Sequence, residues 1–439
     1  MRKCNLSRVS KSAILAITLG AFALAGCDRD NTSNSGAARD SSSSSYTDDS
    51  TTITPTPATT TPSSKPDKTA VADPGATGFT GTFHDVTGPV EPDKLVAKVI
   101  QTLPVFNHPA STAVSLDGRY LFVTNSSSTL NGMEYNKGSI SKLELQPDGR
   151  LKMLKTDFVQ GLHAPMGIAA LPKATGRFPA GSLFVSTGMT SGVDDKGARI
   201  DDITRFNPGV SIIDPESGKA LGFIPVGPKH AVSRGAHHIV LAPAGLCFDS
   251  DGNLYVCDLG NTGKDLEPEV IGIPGIIKIS RTAIDAYAQD QEQPGLSYLP
   301  VLHMPAAVFY SKTDDALYWT TSDGKTGAGG AVYRSPRADF PDQAMVSNVI
   351  GDQGPLMGVV ITPGACLIAS RIDGDLVLIN KRIMAQVGFY EDASFSSPCD
   401  IKLLTLGNGY NILYVPEQEP NSSDPWKQRL RVVLLPSGL

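Results

Sequence analysis

The chain has no surplus of positive charge; its formal net charge is −6. It therefore lacks the basic patch that nucleic-acid binding favours, and no nucleic-acid partner is expected. After the first 26 residues there is no second apolar run of the roughly 20 residues that a membrane-spanning helix needs. Long amphipathic helical patterns are missing as well. Also absent are a Gly-x-Ser-x-Gly nucleophile elbow, a His-Glu-x-x-His zinc helix, a Walker loop and a dinucleotide fingerprint. "GKTGAGGA" at Gly324–Ala331 is glycine-rich, but it lacks a Walker ending at the right spacing and falls between expected strands. It reads as a loop placed to act as a lid.

What is present begins with an export signal. Arg2, Lys3, Arg8 and Lys11 precede the apolar stretch "SAILAITLGAFALA", which is too short to span a bilayer comfortably. The stretch ends in "LAGC", which resembles a bacterial lipobox. The resemblance implies removal of residues 1–26, lipidation of Cys27 and a membrane partner held through the acyl chains. The alternative is an ordinary signal peptide with a chance cysteine. Asp28 follows at once, and this favours the periplasmic face of the inner membrane over the outer membrane within a bacterial envelope.

Residues 27–78 are dominated by Ser, Thr and Pro, as in "DSSSSSYTDDSTTITPTPATTTPSSKPDKTA". So little apolar surface cannot offset the entropy of ordering, and a disordered tether is expected. About 50 such residues reach about 40 Å root-mean-square. Residues 79–439 remain for one folded domain.

That domain repeats. A proline, an apolar strand, a short turn and a second apolar strand recur from Pro109, Pro165, Pro243, Pro305, Pro355 and Pro398. Further strand-like pieces lie between, such as "SISKLELQPDGRLKMLK". Six units of about four strands predict an all-β, six-bladed β-propeller, with a β-helix or a sandwich as the alternatives. "RLRVVLLP" supplies a third strand to the last unit. The early "KLVAKVIQTL" is placed to supply its fourth and close the ring.

The third unit, "PAGLCFDSDGNLYVCDLGN", resembles an NHL repeat and the related SMP-30/gluconolactonase-like propellers, with weaker echoes in the other five. The catalytic patterns of those families are not matched. "NHPAST" stands where a metal-binding Glu is usual, and "PAG" where "PNG" is usual. The His-before-Pro order reverses that of the NHL-type lyase. A WD40 propeller is disfavoured because the only tryptophans, Trp319 and Trp426, do not precede Asp.

In the third unit Asp249, Asp251 and Asn253 look like an acidic loop. Gly252 falls too early for an EF-hand, so turn chemistry is preferred over calcium. Asp251-Gly252 suggests a type I′ turn. Asp258 and Asn261 belong to the opposite end of the hairpin. Strand alternation puts Cys247 and Cys257 on one face, where either a cross-strand disulfide or two buried thiols fit.

The same geometry gathers residues at one mouth of the channel. They are His108, Asn125, His163, Thr187, His237, His238, Asp258, Asn261, His303, Asp323, Arg371, Asp400 and Glu417. Such a set could hold Ca²⁺ or Zn²⁺, or it could simply cap strand ends. The sequence thus favours a binding propeller that takes a protein or small-molecule ligand at its mouth. A metal-dependent hydrolase or lyase of lactonase or esterase type, with Asp258 as candidate catalytic base, is the alternative. A scaffold using the outer rim is a third reading.

Overall fold

The computed structural model describes residues 98–439 apart from 105, 130–131, 201–204, 227–241, 261–272, 289–295, 302, 323–329, 382–384, 392–394, 419–427 and 436–438. The signal peptide, the tether and Cys27 lie outside the described residues, as do His237, His238, Asn261, Asp323 and most of the expected lid.

Six four-stranded antiparallel sheets make up six blades of a β-propeller. Their innermost strands are Pro109–Val114, Ile168–Ala170, Pro243–Phe248, Pro305–Ser311, Leu356–Ile361 and Lys402–Thr405. The second strands are Tyr120–Asn125, Leu183–Thr187, Leu254–Asp258, Ala316–Thr321, Cys366–Arg371 and Asn411–Glu417. These second strands are nearly continuous apolar runs rather than alternating ones, because each is covered on both faces by neighbouring blades.

An apolar cluster joins each adjacent pair of blades. Leu121 and Leu143 of the first pack with Tyr414 and Val432 of the sixth. Val210 and Ile212 of the second pack with Leu254 and Ile277 of the third. Each fully buried side chain of this size contributes about 1.5–3 kcal/mol.

The innermost strands approach closely. A Cβ on Gly167 would lie 2.4 Å from the Ala244 carbonyl oxygen, and one on Gly245 would lie 2.6 Å from that of Ala306. Only a residue without a side chain fits there.

The ring is closed by the N-terminal end of the described chain. Lys98–Pro104 pairs antiparallel with Arg429–Leu434, from Lys98 opposite Leu434 to Pro104 opposite Arg429. The sixth blade therefore takes its outermost strand from the start of the domain and its other three from the end.

Two local expectations change. The third blade contains a short helix, Arg281–Ala288, whose first turn is capped by the Ser280 hydroxyl accepting from the Ala283 amide at 3.1 Å. The turn at Asp251-Gly252 is not type I′, since only Gly252 takes a positive φ, at 88°. Asp249 sets its shape instead, accepting from the amides of Asp251 and Asn253 at 2.9 Å each.

Candidate functional site

Strand register defines the mouth. Pro109 pairs with Asn125, Pro243 with Asp258, Pro305 with Thr321 and Leu356 with Arg371, and Pro398 bridges to Glu417. One residue per blade thus marks the level: Asn125, Thr187, Asp258, Thr321, Arg371 and Glu417. In the fourth blade that residue is Thr321 rather than the expected Asp323. Asp249 and Asp251 sit in the turn at the other end of the third hairpin. There Asp251 is ion-paired to Arg337 of the fourth blade, which also holds Asp315 at 2.6 Å.

Most of the expected mouth residues serve the fold. Asp258 accepts from the Ala242 amide at 2.9 Å and the Gly260 amide at 3.1 Å, clipping the entrance of its hairpin to the exit. Asn125 donates to the hydroxyls of Ser139 and Ser141 at 3.2 and 3.0 Å. Arg371 pairs with Asp375 through Nε at 2.7 Å and donates to the Gln353 carbonyl at 3.3 Å. Glu417 is buried between Arg429 at 2.8 Å and Arg431 at 2.5 Å. Burial still drives its carboxyl upward against those two cations.

The histidines act similarly. His108 has φ of 58°, and its ring meets Asn107 Oδ1 at 3.0 Å and Gln428 Nε2 at 3.3 Å. It thereby ties the start of the first blade to the sixth. His163 donates from Nε2 to the carbonyls of Met189 and Ser191 at 2.9 and 3.0 Å. Its ring stacks on Phe206 at 4.9 Å, and burial depresses its basicity. It secures the mouth-side segment after the second blade's second strand. That segment in turn pairs with its neighbour through Tyr135 N to Val193 O at 2.9 Å. His303 lies half-buried at the entrance of the fourth blade.

The described donors are largely engaged by the fold. Among the described residues no three His, Cys, Asp or Glu side chains converge as a metal site. The Asp258 and Glu417 carboxylates are already held by amides and guanidinium groups.

In four blades the residue just before the mouth residue carries a device that the strand pattern did not reveal. Thr124 Oγ1 donates to the Met166 carbonyl at 2.7 Å, and Ser186 Oγ to that of Ala244 at 2.6 Å. Thr320 and Ser370 reach Met357 at 3.3 Å and Cys399 at 2.6 Å in the same way. Each hydroxyl also accepts an amide of its own blade's innermost strand. Four blades are thus stapled to the next one around the ring. In the third blade the staple position holds Cys257.

That placement bears on the expected disulfide. All four described cysteines are free. A bulge in the hairpin sets Cys247 opposite Tyr255, so Cys257 is diagonal to it. Burial pushes both thiols upward. Both are free thiols, Cys257 buried and Cys247 partly exposed.

Asp400 differs from the other candidates. The staples and close approaches align it with Ser111, Gly167, Gly245, Ala307 and Gly358, small residues at the tightest level of the channel. Its Oδ2 accepts from Ser111 Oγ at 2.6 Å, and its amide donates to the Ala110 carbonyl at 3.1 Å. Desolvation outweighs Ser111 and Lys402 and lifts the carboxyl to about 6. The side chain nevertheless keeps partial solvent exposure. Its charge is also felt at Cys247 and Cys257 of the third blade, across the ring.

The fold is a six-bladed β-propeller. No family model and no curated protein matches the chain. Solved structures with a similar fold include a gluconolactonase from Xanthomonas campestris, with TM-score 0.49 and 13% identity, covering 80% of this chain and 98% of that one. A PQQ-bound aldose sugar dehydrogenase from Streptomyces coelicolor gives TM-score 0.48 and 14% identity, covering 79% and 100%. A periplasmic gluconolactonase from Pseudomonas aeruginosa gives 0.40 and 13%, covering 75% and 86%.

Proposed function

We propose that this is an exported, lipid-anchored binding protein whose propeller takes a ligand into the central channel from the mouth. The lipobox at Cys27 and the polar tether support the anchoring. One observation carries the binding reading: Asp400 is a carboxylate at a level where the other blades have Ser, Gly or Ala, and among the described residues it closes no ion pair. Burying such a group has a cost that a packed scaffold has no reason to bear, and raised carboxyls of this kind cluster at functional sites.

The test is a thermal-shift screen of the full chain in detergent against a small-molecule library, run on wild type and Asp400→Asn. Ligands that stabilise wild type and fail on the variant support the reading. Ligands that act equally on both place binding elsewhere. Near-stoichiometric zinc or calcium in the purified chain, together with turnover of a lactone and ester panel, would replace this reading with the hydrolase one.

A further inference from the structure

We propose that the channel ligand is a small organic cation with an apolar body, a primary alkylammonium or a related amine, seated with its nitrogen on Asp400. This rests on the binding reading above and adds the ligand's class.

The argument starts from the level just above Asp400. One residue toward the mouth, the six blades carry Ala110, Met166, Ala244, Ala306, Met357 and Cys399, in the innermost strand or just before it. All are apolar and buried, and Met166 and Met357 are the most exposed of them at 8% and 9%. The innermost strands contact one another in sequence order around the ring, so the second and fifth blades stand on opposite sides of it. The two methionines therefore stand on opposite sides of the ring, between blades that carry Ala or Cys at this level. Methionine is unbranched and polarisable, and it re-packs readily around an inserted chain.

A ligand passing this apolar ring meets Asp400 next. The groups facing that carboxylate are few. Ser111 of the first blade donates to it, and Cys247 and Cys257 of the third blade are held as neutral thiols by burial. Cys399 precedes it, also raised by burial, to about 12. Among the described residues Lys402 is the cation that acts on it, two residues further from the mouth along the chain. The order from the mouth is thus apolar ring, carboxylate, ammonium. An entering cation reaches its counter-charge before it meets Lys402, which stops it going deeper. An anion would meet the carboxylate first and be repelled. A neutral ligand would gain only a hydrogen bond and leave the carboxylate's charge uncompensated. The carboxyl must be ionised to do this, so binding should weaken as the pH falls through about 6.

The test measures n-butylammonium, n-butanol and butyrate on the full chain in detergent. Titration calorimetry and saturation-transfer NMR are run against matched micelle blanks at pH 7.5 and pH 5. The expected result is binding of n-butylammonium at pH 7.5, at least tenfold weaker at pH 5 and at least tenfold weaker in Asp400→Asn. A wild-type-like circular dichroism spectrum confirms that the variant folds, and the pH comparison on wild type needs no variant at all. Binding of n-butanol or butyrate as tightly as n-butylammonium overturns the cation class. So does n-butylammonium binding that is indifferent to both pH and Asp400. If n-butanol binds and is lost in Met166→Ser, the channel site stands while the cation falls. If none of the three binds, the cation class falls, and the library screen decides the site separately.

Discussion

Asp400 and His163 are both buried titratable groups, but their effects on stability run in opposite directions with pH. The Asp400 carboxyl sits at about 6 against an ordinary 3.8, so the folded state holds its proton more tightly than the unfolded one. Its contribution is fully present below about pH 4 and is lost as the pH rises through about 6. Asp400→Asn should therefore be more stable than wild type at pH 7, by about 2 kcal/mol, with the difference gone at pH 4. Urea unfolding at the two pH values measures this, and a destabilised variant at pH 7 would refute it. A residue whose removal strengthens the fold is kept for something other than folding.

His163 is depressed, so the unfolded state takes the proton first and stability falls as the pH drops below the ordinary 6.5. Replacing it with Ala leaves the Met189 and Ser191 carbonyls short of a donor. The expected loss is about 2–3 kcal/mol at pH 7.5 and less at pH 5. Equal losses at both pH values would mean that the ring packs but does not titrate.

At the scale of single elements, the staples deserve the sharpest test. Ser186 satisfies the Gly167 amide and the Ala244 carbonyl together, so Ser186→Ala should cost about 1–3 kcal/mol in thermal or chemical unfolding. Cys257 occupies the same position in the third blade, and Cys257→Ser, which installs a hydroxyl there, should leave stability within about 1 kcal/mol of wild type. A strongly destabilised Cys257→Ser would show that the position is too apolar for a staple.

This element also shows how far the sequence could be read. The second strands, such as LYVCD and ALYWTT, announced themselves because burial on both faces makes a continuous apolar run. Their ends were placed at the mouth for the same reason. Which polar residues there were free could not be read. Asp258 looks like a candidate base until its carboxylate is seen bonded to two backbone amides, a matter of local backbone path rather than spacing. Asp400 was one name among many. Its distinction comes only from alignment with five small residues in strands up to 289 positions away in sequence, the separation from its partner Ser111. The four hydroxyls Thr124, Ser186, Thr320 and Ser370 did leave a trace. Each precedes a mouth residue at the same offset, and aligning the six units at that offset would have shown them.

For the whole molecule, closure by Lys98–Pro104 is the feature most open to attack. Removing residues before Phe106 would bare the Arg429–Leu434 strand as an open edge. The expected outcome is a lower melting temperature and self-association, read by light scattering after size exclusion. A monomer with an unchanged melt would show that three strands suffice for the sixth blade. The anchor belongs to the same scale. Cys27→Ser should move the protein from the membrane to the soluble fraction, while persistent membrane association would point to a second attachment.

The closing strand also imposes an order on biosynthesis. The segment that shuts the ring is made before any complete blade, and its pairing partner, Arg429–Leu434, only after the other five blades. A chain still being made already holds the latch but not the catch. Blades can zip up one after another as they emerge, yet the circle stays open until the C-terminus arrives. Chains that terminate early would be left with two raw strand edges. Such incomplete products are natural substrates for proteases, so completing the ring doubles as a check that synthesis reached the last strand of the sixth blade.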